Sequence, residues 1–563
     1  MCNENQSPTP ADNENPAPQN KTGAPLPNGF PSAPEAAPLA PEMPGIQQYA
    51  MMPTPPNGVY MPPPPYYVPT PSPSTLAIRE TAKLKKSMVL LLLGWIACYF
   101  YSDVMLMGSL SGLAVPMYMA VFYLLAFWYL AGKKGAFRPT SLLLLIPIAL
   151  LSASYAFIDS ILTNFITSLV LLVAVPLQLT VMAGGTKLSS PSAILDTLKT
   201  TVGNPFSNMG STFHAFSGRK TKEKKQTNLL LILVGLLCSI PVVLIFFALF
   251  SGGDTVFRTV TETLLNQFDF SSLFFNLIAA TILSLFVIPF FFSLRASKLP
   301  EEKDEKKKGS LPPALIVSFL FGIVLVEALF AGIQISYLFP GANDGLRLPE
   351  ASSYAEFARS GFAQISAAAF LTALIIALVF LLCRKTEKGA VPVSVRLCVT
   401  LLACLDGVLC VSAYVRMFLY IEKSVYTVVR INTCWLMALT MLLVLGLLLK
   451  VWAPRMKLFA WTVTTVLMMT VLLNGMNPDR LVARLNVDRY IASGYSCRLE
   501  PDYFYALSPA ALPEVQRLRD DEQAMRDEKL KSLLDGVISE KREELASRTW
   551  KNLVFSFEHS PAQ

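Results

Sequence analysis

The chain has 563 residues, of which 53% are hydrophobic and only 15% charged, and its mean hydropathy is +0.47. Soluble domains carry about a quarter charged residues, so this composition excludes an ordinary soluble protein and points to an all-α polytopic membrane protein. The net charge of +8 does not imply a nucleic-acid partner, because Lys and Arg are dealt out between apolar runs instead of being grouped on one face.

The first stretch, Met1 to Ser74, holds 21 of the 41 prolines and one basic residue, Lys21. Proline removes backbone donors and the few apolar groups do not offset chain entropy, so residues 1–77 are expected to form a disordered cytoplasmic tail. Tyr49, Tyr60, Tyr66 and Tyr67 could anchor it in a protein partner's aromatic groove; a solvated spacer is the plainer reading.

Beyond Lys86, apolar runs alternate with short polar loops. A bilayer core of about 30 Å takes about 20 helical residues, so runs of this length read as spans. About eleven are expected: Met88–Met105, Val115–Ala131, Ser141–Phe157, Leu162–Met182, Asn228–Phe250, Leu273–Leu294, Leu311–Ile333, Phe362–Cys383, Val393–Tyr414, Val429–Val451 and Leu458–Asn474. They make a bundle over residues 88–474. With the amino terminus inside, the inward loops hold 27 Lys and Arg and the outward loops six. That bias puts the N-terminus in the cytoplasm and the C-terminus outside.

Within the inward loop Leu188–Phe216, Ile194, Leu195, Leu198, Val202 and Phe206 stand among polar residues, as in a segment lying on headgroups; a plain connector fits equally. Two carboxyl groups fall near span centres, Glu327 in GIVLVEALFAG and Asp406 in ACLDGVLC. Each costs on the order of 2.5 to 3.5 kcal/mol to insert as an ion, so a paired, protonated or cavity-facing role is expected, with a neutral helix contact as the alternative. Before the eighth span, SSYAEFARSGF combines Tyr354, Glu356 and Arg359. Ser353 and Glu356 have capping-box spacing, and Glu356 can pair with Arg359 at i, i+3.

Two histidines, and nine cysteines without CxxC spacing, leave little from which to build a zinc site or a disulfide framework, and no cofactor is expected.

After Asn474 the chain turns polar, and 475–563 is expected to be a small extracytoplasmic helical tail. In NPDRLVARLNVDRY, Asn477 is placed to cap a helix and Asp479 to favour its dipole. Arg480, Arg484 and Asp488 share a face, able to hold a phosphate or carboxylate or to form only a surface ion-pair ladder. Glu514–Arg548 reads as a solvated helical pair broken at Gly536.

SYLFPGAN, SYAEFARSGF, VRMFLYIEK, NPDRLVARLNVDRY and DYFYALSPAALP, with SGGDTVF before them, resemble an uncharacterised family of bacterial multi-pass membrane proteins, a domain of unknown function. The resemblance covers about Ser251–Pro513. It implies a bacterial plasma membrane protein and no known reaction. It places polar positions on Tyr354, Glu356, Arg359, Arg416, Asp479, Arg484, Asn486 and Arg489, but Ser424–Val429 lacks the glycine such proteins tend to have. Three function classes follow. A sensory, scaffolding or envelope-assembly protein uses the lipid bilayer and protein partners at its two tails. A transporter uses Glu327 and Asp406. A polytopic enzyme acts on lipid-linked substrates outside the cell.

Overall fold

The structure, a computed structural model, describes residues 73–106, 112–190, 192–210, scattered positions between 239 and 258, 270–298, 311–338, 362–384, 386, 391–549 and 553–554. Among them every regular element is helical, apart from one bridge pairing Leu311 with Cys383. Residues 1–72 of the Pro-rich stretch and the SSYAEFARSG motif, with Tyr354, Glu356 and Arg359, lie outside the described residues.

The elements in order are α1 (Pro73–Ala82), α2 (Lys85–Tyr101, continued by a wide turn over Ser102–Leu106), α3 (Ala114–Leu130), α4 (Pro139–Ser154) and α5 (Ile161–Met182). Two short helices follow, α6 (Ala193–Leu198) and α7 (Asn204–Ser207), then α8 (Phe270–Ala296), α9 (Pro313–Leu338), α10 (Phe362–Leu382), α11 (Val393–Lys423), α12 (Val428–Trp452) and α13 (Leu458–Met476). Past the bundle come α14 (Pro478–Ala492), α15 (Leu512–Arg519) and α16 (Glu528–Ala546).

Among the described residues seven helices are long and apolar enough to cross a membrane: Lys85–Val104, Ile161–Met182, Phe275–Ala296, Pro313–Ile335, Val393–Phe418, Val428–Trp452 and Leu458–Met476. Ala114–Leu130, Pro139–Ser154 and Ala367–Leu382 are shorter apolar helices in three more of the expected positions. Leu124, Leu143, Leu172, Leu329 and Phe370 stand exposed on these helices, an outward apolar surface that suits hydrocarbon and not water. The described part of the protein is therefore all-helical and fit for a multi-pass membrane setting.

Run Asn228–Phe250 lies largely outside the described residues, and those of its positions that are described are helical. The C-terminal ends of α5 and α8 lie together at one face, around Ala183, Gly184 and Arg295. Both helices thus run the same way.

One core joins α1 to α5 with α8, around Leu90, Tyr129, Leu151, Leu179 and Phe291. A second joins α9 to α12, around Leu320, Ile376, Val399, Leu402 and Val451. Helix α1 was not expected: it begins inside the stretch assigned to the loose tail because Ile78 and Ala82 bury against α8. Ile194, Leu195, Leu198 and Val202 are exposed along α6 and the turn after it, as on a headgroup-facing segment.

The C-terminal segment differs from a solvated helical pair. Helices α14 to α16 and three 3-10 turns enclose a core that includes Val482, Val487, Phe504, Val515, Leu518, Leu534 and Val537. Nor does Gly536 break α16, which runs through it. A Cβ there would stand 2.4 Å from Tyr505 Oη, so glycine admits the tyrosine ring against the helix. Asn477 does not cap with its side chain either. It adopts φ +45°, a left-handed conformation that Asn tolerates, and so forms the corner between α13 and α14.

Candidate functional site

Helix α9 packs along α11, and their polar residues fall on the seam. Asp406, midway along α11, is wholly buried, and among the described residues neither carboxyl oxygen has a hydrogen-bond partner. Glu327 of α9 lies close enough to act on Asp406 electrostatically. Its Oε1 accepts from Thr372 of α10, while Oε2 is buried without a partner among the described residues. Two turns further along α9, Gln334 Oε1 accepts from Ser412 Oγ at 2.8 Å and from Arg416 Nη2 at 2.8 Å. The structure therefore places Glu327 within electrostatic reach of Asp406 and puts Arg416 on the same seam, nearly three turns of α11 from Asp406.

Buried polar groups are normally hydrogen-bonded. A carboxyl that served only as a helix contact would have a donor nearby; Asp406 has an acidic neighbour instead. In a low-dielectric interior two interacting carboxylates repel, so the pair is suited to take up a proton or a small cation.

Residues 145–518, about two thirds of the chain, match the model of a family described as a domain of unknown function, DUF4153. The chain belongs to this family. Its match begins well upstream of Ser251 and takes in α5 as well as the carboxyl seam and, of the C-terminal domain, α14 and nearly all of α15 but not α16. No curated protein and no solved structure matches the chain.

Within this DUF4153 segment the C-terminal domain grips the end of α11. Arg489 Nη1 donates to the Ile421 carbonyl at 2.8 Å and to the Ser424 carbonyl at 3.1 Å, where the free carbonyls of a helix end favour a cation. One turn earlier on α14, Asn486 accepts from the Tyr426 N–H and donates to the Tyr426 carbonyl, both at 2.9 Å. The Val428 N–H donates to Tyr503 Oη at 2.9 Å. Residues 424–428 contain no positive φ, so this turn needs no glycine; α14 holds it by hydrogen bonds instead.

The other candidates take plainer places. Asp479 is buried and accepts from the Ser508 N–H at 3.0 Å, bracing the domain internally. Arg484 pairs with Asp488 at 3.6 Å on an exposed face, and Arg517 joins Asp488 from α15. Sequence reasoning missed Gln334, Thr372 and Ser412, whose residue types are unremarkable in a span. It also missed the Arg548 to Asp159 ion pair, which ties the domain to the turn between α4 and α5.

Proposed function

We propose that this is a cation-responsive sensory or assembly protein of the bacterial plasma membrane, the proton being the simplest such cation. The observation that carries the reading is Asp406, fully buried beside Glu327 with neither oxygen satisfied among the described residues. Helix α11 links this pair to the C-terminal domain. From Asp406 to Ile421 it is unbroken, a rise of about 22 Å at 1.5 Å per residue. Loading or emptying the pair changes the charge on the α9–α11 seam, and a shift of α11 reaches the turn that Asn486 and Arg489 hold. That is a local electrostatic event read out through a packed helix.

Hydrogen exchange on the purified protein tests it. Protection of 424–430 and 478–492 is expected to change severalfold between pH 5 and pH 8, or on adding sodium or potassium, in the wild type. Asp406→Asn with Glu327→Gln should remove that response. An equal response in the double variant refutes the proposal.

The polar seam continuing from the pair to Gln334, Ser412 and Arg416 favours a second reading, a proton- or cation-linked transporter. Flux through proteoliposomes that disappears in Asp406→Asn would select it. The orientation rests on the basic loops. Single-cysteine labelling in cells is expected to place residue 60 inside and residue 530 outside; both on one side would overturn it.

A further inference from the structure

At the face opposite the C-terminal domain, five cations converge on one cavity of about 290 Å³. Lys133, Lys134 and Arg138 come from the turn between α3 and α4, and Arg295 and Lys298 from the end of α8; Ala183 and Gly184 complete the wall. No carboxylate lines it among the described residues. The positive-inside bias explains why basic residues lie in these loops, but it needs only their number. It does not require that two separate loops aim them at one hollow.

The hollow is built, not incidental. Its floor is two turns in backbone contact: a Cβ on Gly184, which has φ +76°, would stand 2.8 Å from the Gly135 carbonyl oxygen. Lys133 Nζ is fixed by the Leu294 carbonyl and by Ser297 Oγ at 3.0 Å, and Arg295 by the Tyr129 carbonyl. Burial, and then the Arg295 charge, push the Lys133 ammonium down to about 7. An anion would offset both the burial of this ammonium and the smaller repulsion from Arg295. The exposed apolar residues Ile194, Leu195 and Leu198 follow Gly184 after about ten residues, and Asn204 of α7 donates to Ser293 of α8 at 2.7 Å. The cavity therefore lies at the same end of α8 as this exposed apolar segment, which has the character of a headgroup-facing one.

The geometry points to a binding site for a phosphate-bearing anion, either the headgroup of an acidic phospholipid or a free phosphate. Lys134, Arg138 and Lys298 supply donors that are free among the described residues, and Arg295, joined by Lys133 when it is protonated, the positive floor.

The test uses the full-length protein. Binding is measured to phosphatidylglycerol in nanodiscs by native mass spectrometry, and to inorganic phosphate by calorimetry, with phosphatidylcholine as the neutral-headgroup control. Preference for phosphatidylglycerol without phosphate binding identifies a lipid site; phosphate binding without lipid preference identifies a free-anion site. Lys134→Gln with Arg138→Gln and Lys298→Gln is expected to weaken binding at least about tenfold. Lys134→Arg with Lys298→Arg should retain it, and this pair carries the test if the neutralised triple does not accumulate. Lipid retention should also strengthen as pH falls from about 9 to 6. Lys133 gains its proton in that range while a phosphodiester keeps a constant charge, and Lys133→Arg should flatten the dependence. The acidic run Glu301–Glu305, outside the described residues, is the rival occupant. Binding seen only after Glu301, Glu302, Asp304 and Glu305 are neutralised would overturn the proposal. So would wild-type protein that binds neither probe above the control, or a triple variant that binds as well as wild type.

Discussion

Arg489→Ala is expected to loosen the C-terminal domain while leaving the helical bundle intact. Two charge-assisted hydrogen bonds to the Ile421 and Ser424 carbonyls are lost, and the last carbonyls of α11 lose the cation that complements them. Hydrogen bonds to a charged group are worth about 1.5 to 3 kcal/mol each, and two sharing one side chain do not add fully, so a loss of about 2 to 3 kcal/mol is expected. Arg489→Lys keeps the charge but not the planar fork, and should fall between. Arg484 supplies the control on the same helix. Its pair with Asp488 is exposed, and Arg484→Ala should cost about 0 to 1 kcal/mol. Hydrogen exchange resolved by segment reads the difference: faster exchange across 478–546 for Arg489→Ala, none for Arg484→Ala, and no change within α2 to α8. Asn486→Ala should act on the same turn, with the double variant less than additive. Equal effects at Arg484 and Arg489 would mean that the grip on α11 is not what seats the domain.

Apolar runs near 20 residues were legible as helices because hydrocarbon admits no unsatisfied backbone, and length alone then decides the element. Glu327 and Asp406 could be picked out as intramembrane acids, since a charge there is expensive wherever it points. That they meet was not legible. Their separation in sequence carries no information about which faces of α9 and α11 pack, and the Thr372 partner comes from a third helix. Around Arg489 the helical spacing pointed elsewhere, although the family resemblance names both Asn486 and Arg489. The i, i+4, i+8 pattern drew attention to Arg480, Arg484 and Asp488, which lie on the solvated side of α14. The neighbouring face, Asn486 and Arg489, does the holding. Gly536 was misread because propensity marks glycine as a helix breaker, whereas its place is set by a tyrosine that propensity cannot see. Asn477 was misread as a cap because its type fits a cap and a left-handed corner equally well.

Asp406→Leu is expected to stabilise the protein and abolish its response. Leucine nearly matches aspartate in shape but adds apolar surface where the helix seam already lies in hydrocarbon. An aspartate at a span centre costs about 2.5 to 3.5 kcal/mol to place, whereas leucine gains about 0.3 to 0.6 kcal/mol. With both oxygens unpartnered among the described residues, no hydrogen bond there has to be given up. The neighbouring Glu327 also loses a like charge and keeps its bond from Thr372. Part of the difference is already relaxed in detergent, so a gain of about 1 to 3 kcal/mol is expected, read as a rise in the thermal midpoint of the solubilised protein. Asp406→Asn should be nearer neutral, because the amide keeps the polar burden without the charge. Natural proteins retain such a costly group where function needs it, and removing it commonly raises stability while activity falls. If Asp406 were instead a hydrogen-bonded helix contact, Asp406→Leu would lower the midpoint. That single sign separates a loading site on α11 from a structural one.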